Sequence, residues 1–449
     1  MRRQTRLLIG ISVFWLALSV LFDGVNTLVL PLQLSVLSDQ NNQATILGLL
    51  TFVGLLAGAL VQPVAGAFSD KLRPLLGRKG FIGIGLVLIL ASLFIFATFQ
   101  SIIGILISYL AIQISASIAQ AGQQALIPDL VDENRRGLAS GLKGFMDLTG
   151  AMLGFILLGQ LLGSGKATIA VLAIAMILTS TYLLAVLLTR EDKAHKDAAK
   201  ATTVSLCEIF RLDLTHHSAF VRLVLSRFLF LLGIYGTGRF LLLFVANRLG
   251  LAEDQAAEQA GNLLAGLAFI TVLASPLTGW LADRYGRVPL MIVGAVFSAI
   301  SALLLVWANS TGQILLFGGL MSLGSAAFAG GSWASLADLV PKKEAARFFG
   351  LANFSTAGSA AVAGLFGPLI DWADRLSPGV GFSALFIAAA LAFLASVLPL
   401  KSKLLGIGVS HGNKRKVRTD DPGLAVISVP ADPAPVEEDQ DPQGRAARL

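Results

Sequence analysis

The sequence predicts an all-α membrane protein: twelve transmembrane helices in two pseudo-symmetric six-helix bundles. Three observations predict it. Apolar residues come in blocks of roughly 20 or more, long enough to cross a hydrocarbon layer of about 30 Å. Lysines and arginines fall almost entirely into alternate gaps between those blocks. Short stretches of the first half recur in the second half in a nearly constant register. Composition agrees, for the 449 residues are 55% hydrophobic and only 14% charged, with a mean hydropathy of +0.76. In lipid, the spanning elements must be helices or a closed barrel. The blocks are too long for barrel strands and lack period-two alternation, which leaves helices.

Taken in order, the first bundle (1–189) holds α1 at roughly 8–34, α2 at 44–69, α3 at 80–98, α4 at 102–127, α5 at 137–163 and α6 at 168–189. A polar central loop, 190–218, follows. The second bundle (219–400) holds α7 at roughly 219–247, α8 at 257–282, α9 at 288–308, α10 at 312–337, α11 at 347–370 and α12 at 380–400. The tail, 401–449, has too few apolar residues to build a core and reads as disordered. The start, MRRQTRLLIG, has the charge of a signal peptide, but its apolar run is too long and lacks a small-residue cleavage site. It reads as a retained first helix.

Orientation follows from the basic residues. With the N-terminus inside, 27 of the 34 Lys and Arg fall on the cytoplasmic side, and only Lys166, Arg248 and Arg375 fall outside. The remaining four lie within spans. Both termini are therefore expected in the cytoplasm, with the chain multi-pass in the plasma (inner) membrane. The net charge of +7 is then a product of topology and does not suggest nucleic acid. Lys414–Arg418 reads either as an anionic-lipid contact or as one more cytoplasmic anchor. A single cysteine, Cys207, rules out an intramolecular disulfide and a cysteine-built metal site. The four histidines lie outside the spans or at their edges, so no histidine relay crosses the membrane.

The repeat is specific. Gly77-Arg78 and Gly286-Arg287 stand 209 residues apart, as do Asp129-Leu130-Val131 and Asp338-Leu339-Val340. Gly137-Leu138-Ala139 and Gly350-Leu351-Ala352 stand 213 apart, as do Gly154 and Gly367. A duplicated six-helix unit of this kind places a solute site near the midplane, between the copies.

The connections after α2 and α8 form a second pair. GAFSDKLRPLLGRKG begins at Gly66 and GWLADRYGRVP at Gly279. Each has a glycine, an acid four residues on (Asp70, Asp283), a base directly after it (Lys71, Arg284), and then Gly-Arg. On these residues the chain resembles the major facilitator superfamily of secondary transporters, whose signature loop joins helices 2 and 3 and recurs between helices 8 and 9. The resemblance implies a small-molecule substrate, alternating access, and a monomer with no organic cofactor or metal, driven by a proton or sodium gradient. It implies that Asp70 latches onto the start of α11 near Gly350, and Asp283 onto the start of α5 near Gly137. Gly66 and Gly279 would admit the neighbouring helix. Arg78 would pair with Asp129, and Arg287 with Asp338. The first loop has four more residues between acid and Gly-Arg than the second, which leans towards the sugar-cation symporter branches.

Charges within the spans are Asp23, Lys143, Asp147, Arg222, Arg227 and Arg239. Each carries an insertion penalty of about 2.5–3.5 kcal/mol, so a deep one is a functional candidate. Arg222 and Arg227 are close enough to the start of α7 to snorkel. Asp23 heads a stripe with Asn26, Leu30 and Gln33 on one face of α1. Matching Gly24 to Gly236 sets Tyr235 and Arg239 at the same depth in α7, where an Asp23–Arg239 ion pair is expected, either for coupling or for holding the halves together. Lys143 and Asp147, four apart on α5, read as a buried bridge or as part of the coupling. In α4, Gln113, Ser117, Gln120 and Gln124 make an uncharged face, and α10 adds Ser322, Ser325 and Ser332. Such groups suit sugars and other polar solutes, or hydrogen bonds between helices. α4 carries no arginine, unlike many proton-driven drug exporters of the superfamily.

The substrate and coupling set is thus Asp23, Asn26, Gln113, Gln120, Asp147, Tyr235 and Arg239, for a proton-coupled sugar or polar metabolite. An efflux antiporter of the same superfamily is the alternative, and a sensor on a transporter fold the non-transporting one. No HExxH, paired histidine ligands or phosphate-cradling loop supports an enzyme.

Overall fold

The computed structural model describes residues 2–99, 101–132, 135–189, 217–339 and 345–400, and every regular element among them is helical. The predicted tail and nearly all of the predicted central loop lie outside the described residues, as does Lys414–Arg418. α1 is one span, Thr5–Leu37, interrupted by a π-helical turn, Val25–Val29, in which the Leu30 N–H donates to the Val25 carbonyl. α2 and α3 share the run Gln43–Thr98 and are separated by a kink at Gly77, whose φ of 69° and ψ of 174° suit a residue without a Cβ. Then come α4 (Ile102–Leu130), α5 (Arg136–Gly163) and α6 (Ala167–Leu188).

In the second half, α7 is Ser218–Arg239 continued by Leu241–Leu249, and α8 is Glu253–Tyr285. α9 (Arg287–Leu305) and α10 (Thr311–Leu339) follow. α11 is broken by a 3-10 turn, Ala363–Leu365, between Ala345–Val362 and Phe366–Leu376. α12 is Gly381–Ala395. Hydropathy alone places the end of α2 near residue 69, yet the helix runs on through Asp70 to Leu76. Apolar length measures only what lipid covers, and a charged turn beyond it can remain helical in water.

Large apolar side chains on α3, α6 and α12, among them Phe94, Leu187 and Leu391, are more than 60% exposed and form the lipid-facing belt. Inside the bundles, equivalent contacts recur. Gly24 of α1 meets Leu158 of α5, and Gly236 of α7 meets Phe366 of α11.

The two signature loops mark one end of the molecule, called here the loop end; the opposite end is the far end. The halves join through two seams at the far end. Gly48 of α2 lies against the Gly364 carbonyl of α11, and Gly159 of α5 against Gly261 of α8. At these places helix backbones touch directly, the close approach that only small residues permit. The largest apolar core joins both halves there, with Leu47, Leu158 and Leu162 alongside Phe244, Leu263 and Phe382. A second core, around Phe220, Phe230, Phe328, Phe348 and Phe393, is drawn entirely from the second half. At the loop end a Cβ at Gly66, Gly137, Gly141, Gly144 or Gly279 would meet nothing within 4 Å. Backbone seams hold the halves together at the far end, and among the described residues nothing packs on these latch surfaces.

Candidate functional site

At the first loop, Arg78 is 5% exposed and organises its neighbours. Its Nε donates to Asp129 at 2.8 Å, Nη1 to Ser69 at 2.8 Å and Nη2 to Asp70 at 2.5 Å. Arg73 also reaches Asp129, at 3.4 Å. At the second loop, Arg287 pairs with Asp338 and donates to the Ala334 carbonyl at 2.7 Å. The structure thus joins α3 to α4, and α9 to α10, by equivalent ion pairs.

Among the described residues, neither loop acid touches a helix of the other half. The Asp70 side chain is 55% exposed and held by Arg78, while Asp283 is exposed and the surroundings of Gly137 are empty. Among the described residues, nothing lies within 4 Å of a Cβ placed at Gly66 or Gly279 either. Apart from Phe348, the side chains around the start of α11, Gly350 included, lie outside the described residues.

In the interior, Asp23 accepts from Ser19 Oγ at 2.7 Å, and Thr27 donates to its carbonyl. Arg239 instead donates to the Ala360 carbonyl of α11 at 2.7 Å. No ion pair joins Asp23 to Arg239 among the described residues. Tyr235 lies within electrostatic range of Asp23, Arg227 and Arg239. Lys143 and Asp147 are 3.8 Å apart and about one-third exposed, and Lys143 also sits 3.8 Å above the Trp15 ring. Asp147 in turn lies within range of Asp23. α1 and α5 approach closely enough for this because Gly150 packs on the Leu16 backbone and Gly154 on Val20.

The stripe expected from Asp23 to Gln33 is broken. A π turn takes an extra residue into the ladder, so residues beyond it rotate relative to those before it. Asn26, inside the turn, accepts from Tyr109 Oη at 2.6 Å and from Gln113 Nε2 at 3.0 Å, both on α4. Gln33 lines a separate far-end cavity beside Phe99 and Thr168. On α4, Gln120 is half-buried, whereas Gln123, off the expected face, is buried and donates to the Ile11 carbonyl at 2.5 Å.

A cavity of about 200 Å³ is lined chiefly by α7, α8 and α10, with Phe155 of α5 and Phe386 of α12 also in its wall. Its lining is mostly apolar, with Thr237, Thr271, Ser322 and Ser325 as hydroxyls.

A family model described as MFS/sugar transport protein matches residues 32–409. The chain belongs to that family. It is a multi-span membrane transporter of the major facilitator type. Its similarity to the multi-drug resistance efflux pump PmrA of Streptococcus pneumoniae is 25% identity over 362 residues, 78% of this chain and 84% of that protein. With the class H tetracycline resistance protein of Pasteurella multocida it shares 34% over 100 residues, 22% of this chain and 24% of that one. Among solved structures, the nucleoside transporter NupG superposes with a TM-score of 0.68 at 15% identity, covering 88% of this chain and 98% of that one. A bacterial homolog to the human lysosomal transporter Spinster, in an inward-facing and occupied conformation, gives 0.65 at 15%, covering 89% and 95%.

Sequence reasoning misses three parts of this MFS transporter's interior. Tyr109 and Trp15 sit among apolar neighbours and resemble core aromatics. Arg227 does not snorkel: it is 4% exposed, donates to Ser332 Oγ at 2.6 Å and lies 4.2 Å from the Trp333 ring centroid. It is buried because α10 packs over that turn of α7. Arg222, one turn nearer the helix start, donates to Ser218 at 3.2 Å.

Proposed function

We propose that this chain is a proton-coupled secondary transporter working by alternating access as a monomer in the plasma membrane. In this reading the loop end faces the cytoplasm and the state seen is inward-open. The supporting observation is the asymmetry between backbone seams at the far end and parted latch surfaces at the loop end. Asp23, with Asp147 in electrostatic range, takes and releases the coupling proton. Asn26, Gln113, Tyr235 and the hydroxyl-bearing cavity contact the cargo. An apolar lining with few hydroxyls suits a small organic solute with an apolar body, and the similarity to a multidrug efflux pump points the same way. A sugar or other polar metabolite is the second reading, favoured by the family description and the Asn26–Tyr109–Gln113 amides.

The test is counterflow in proteoliposomes holding the purified full chain, run with labelled sugars, nucleosides and amphipathic drugs at two pH values. Exchange of one solute class is expected, with accumulation only when a proton gradient is imposed. Folded protein that exchanges no solute class would refute transport as its activity.

A further inference from the structure

We propose that Arg227, with Ser332 and Trp333, is the anion-recognising end of the solute site, so that the cargo is an amphipathic organic anion such as an aryl or alkyl carboxylate. The inference rests on the transporter reading only in taking the α7–α8–α10 cavity as the solute site.

Arg227 is a buried cation with no acid beside it among the described residues. Its Nη1 donates to Ser332, its Nε is buried without a partner, and no carboxylate lies at ion-pair distance among the described residues. Leaving a charge buried and uncompensated is costly, and such a residue at membrane depth is retained for a partner or a function. A guanidinium presents parallel N–H donors in a rigid fork that matches a carboxylate. The indole of Trp333, itself 43% exposed, covers the guanidinium face and leaves the donor edge as the place for an anion.

Position ties this cation to the cavity. Ile234, Gly238 and Leu241 of α7 line it, and Arg227 precedes Ile234 by seven residues, within about 20° of the same helix face. On α10, Ser325 lines the cavity and Ser332 lies seven residues further on, again on that face. The rise between Arg227 and Ile234 is about 10 Å. A solute with its apolar body against Phe155, Met321 and Phe386 can therefore extend a carboxylate to Arg227. Arg239 also has a partnerless Nε, but it falls well off this face and is turned to the Ala360 carbonyl of α11.

The experiment compares 4-phenylbutyrate with its uncharged amide, binding to the full chain in lipid nanodiscs, by thermal unfolding and tryptophan fluorescence. The acid is expected to raise Tm and to bind at least about tenfold more tightly than the amide, the scale of one charge-assisted hydrogen bond. In Arg227→Gln that preference should vanish, while the ligand-free Tm rises because an uncompensated buried charge is gone. Arg227→Lys should keep part of it. Should Arg227→Gln fail to fold, Ser332→Ala serves instead, with weaker acid binding and unchanged amide binding expected. The inference is overturned if wild type binds both probes equally or neither at millimolar concentration, or if the acid preference survives in Arg227→Gln or Ser332→Ala. It is also overturned if ligand-free Arg227→Gln is less stable with the preference intact. Because binding is read without transport, absence of counterflow sinks only the transporter reading. Counterflow of neutral solutes alongside equal binding of the two probes sinks only this inference.

Discussion

Asn26 shows what a single side chain contributes and how far sequence reaches it. Its type and depth were legible, since an amide within an apolar helix stands out. Its direction was not, because periodicity reasoning assumes 3.6 residues per turn and the π turn at Val25–Val29 departs from that locally. Its α4 partner Tyr109 was hidden for another reason: an aromatic ring among Ile105 and Ile112 has the pattern of ordinary packing. Replacing Asn26 with Leu leaves the Tyr109 hydroxyl and the Gln113 amide without their acceptor, a loss of about 1–3 kcal/mol for each buried group. A drop in Tm of purified Asn26→Leu is expected, and adding Tyr109→Phe should recover part of it. A double-mutant cycle showing no coupling would remove the network from the account.

At the scale of elements, helix number and the repeat were legible because lipid forces length and apolarity on every span. Which glycines meet another helix was not. Gly66 and Gly279 carry the motif yet stand open, whereas Gly48, Gly159, Gly261 and Gly364 carry no motif and hold the seams. The distinction depends on the conformational state, which composition does not encode. A Cβ at Gly48 or Gly364 runs into backbone across the seam, with no flexible side chain to give way. Gly48→Ala and Gly364→Ala should therefore loosen the far end. Labelling of a reporter cysteine placed in that seam should rise several-fold on the far side, and unchanged labelling would show that the seam is not what closes it.

For the whole molecule, the loop acids and the interior acids have separable predictions. Asp70 is held here by Arg78, and in the opposite state it is expected at the start of α11. Asp70→Asn should therefore shift the resting population towards the state seen here, read as more cysteine labelling from the loop end and less from the far end. Asp23→Asn should abolish accumulation against a gradient while leaving counterflow intact, and accumulation by that variant would move coupling elsewhere, with Asp147 the next residue to change.

The backbone seams have a consequence for mutagenesis. Ordinarily an alanine scan finds importance by taking atoms away, and lipid-facing Leu187 or Phe94 should register little in one. Along Gly48, Gly261 and Gly364 the same scan adds a methyl group, acting as a wedge between surfaces that have no slack. These seam positions are then disruptive although they have the least to lose, and a deletion-minded survey would pass over them.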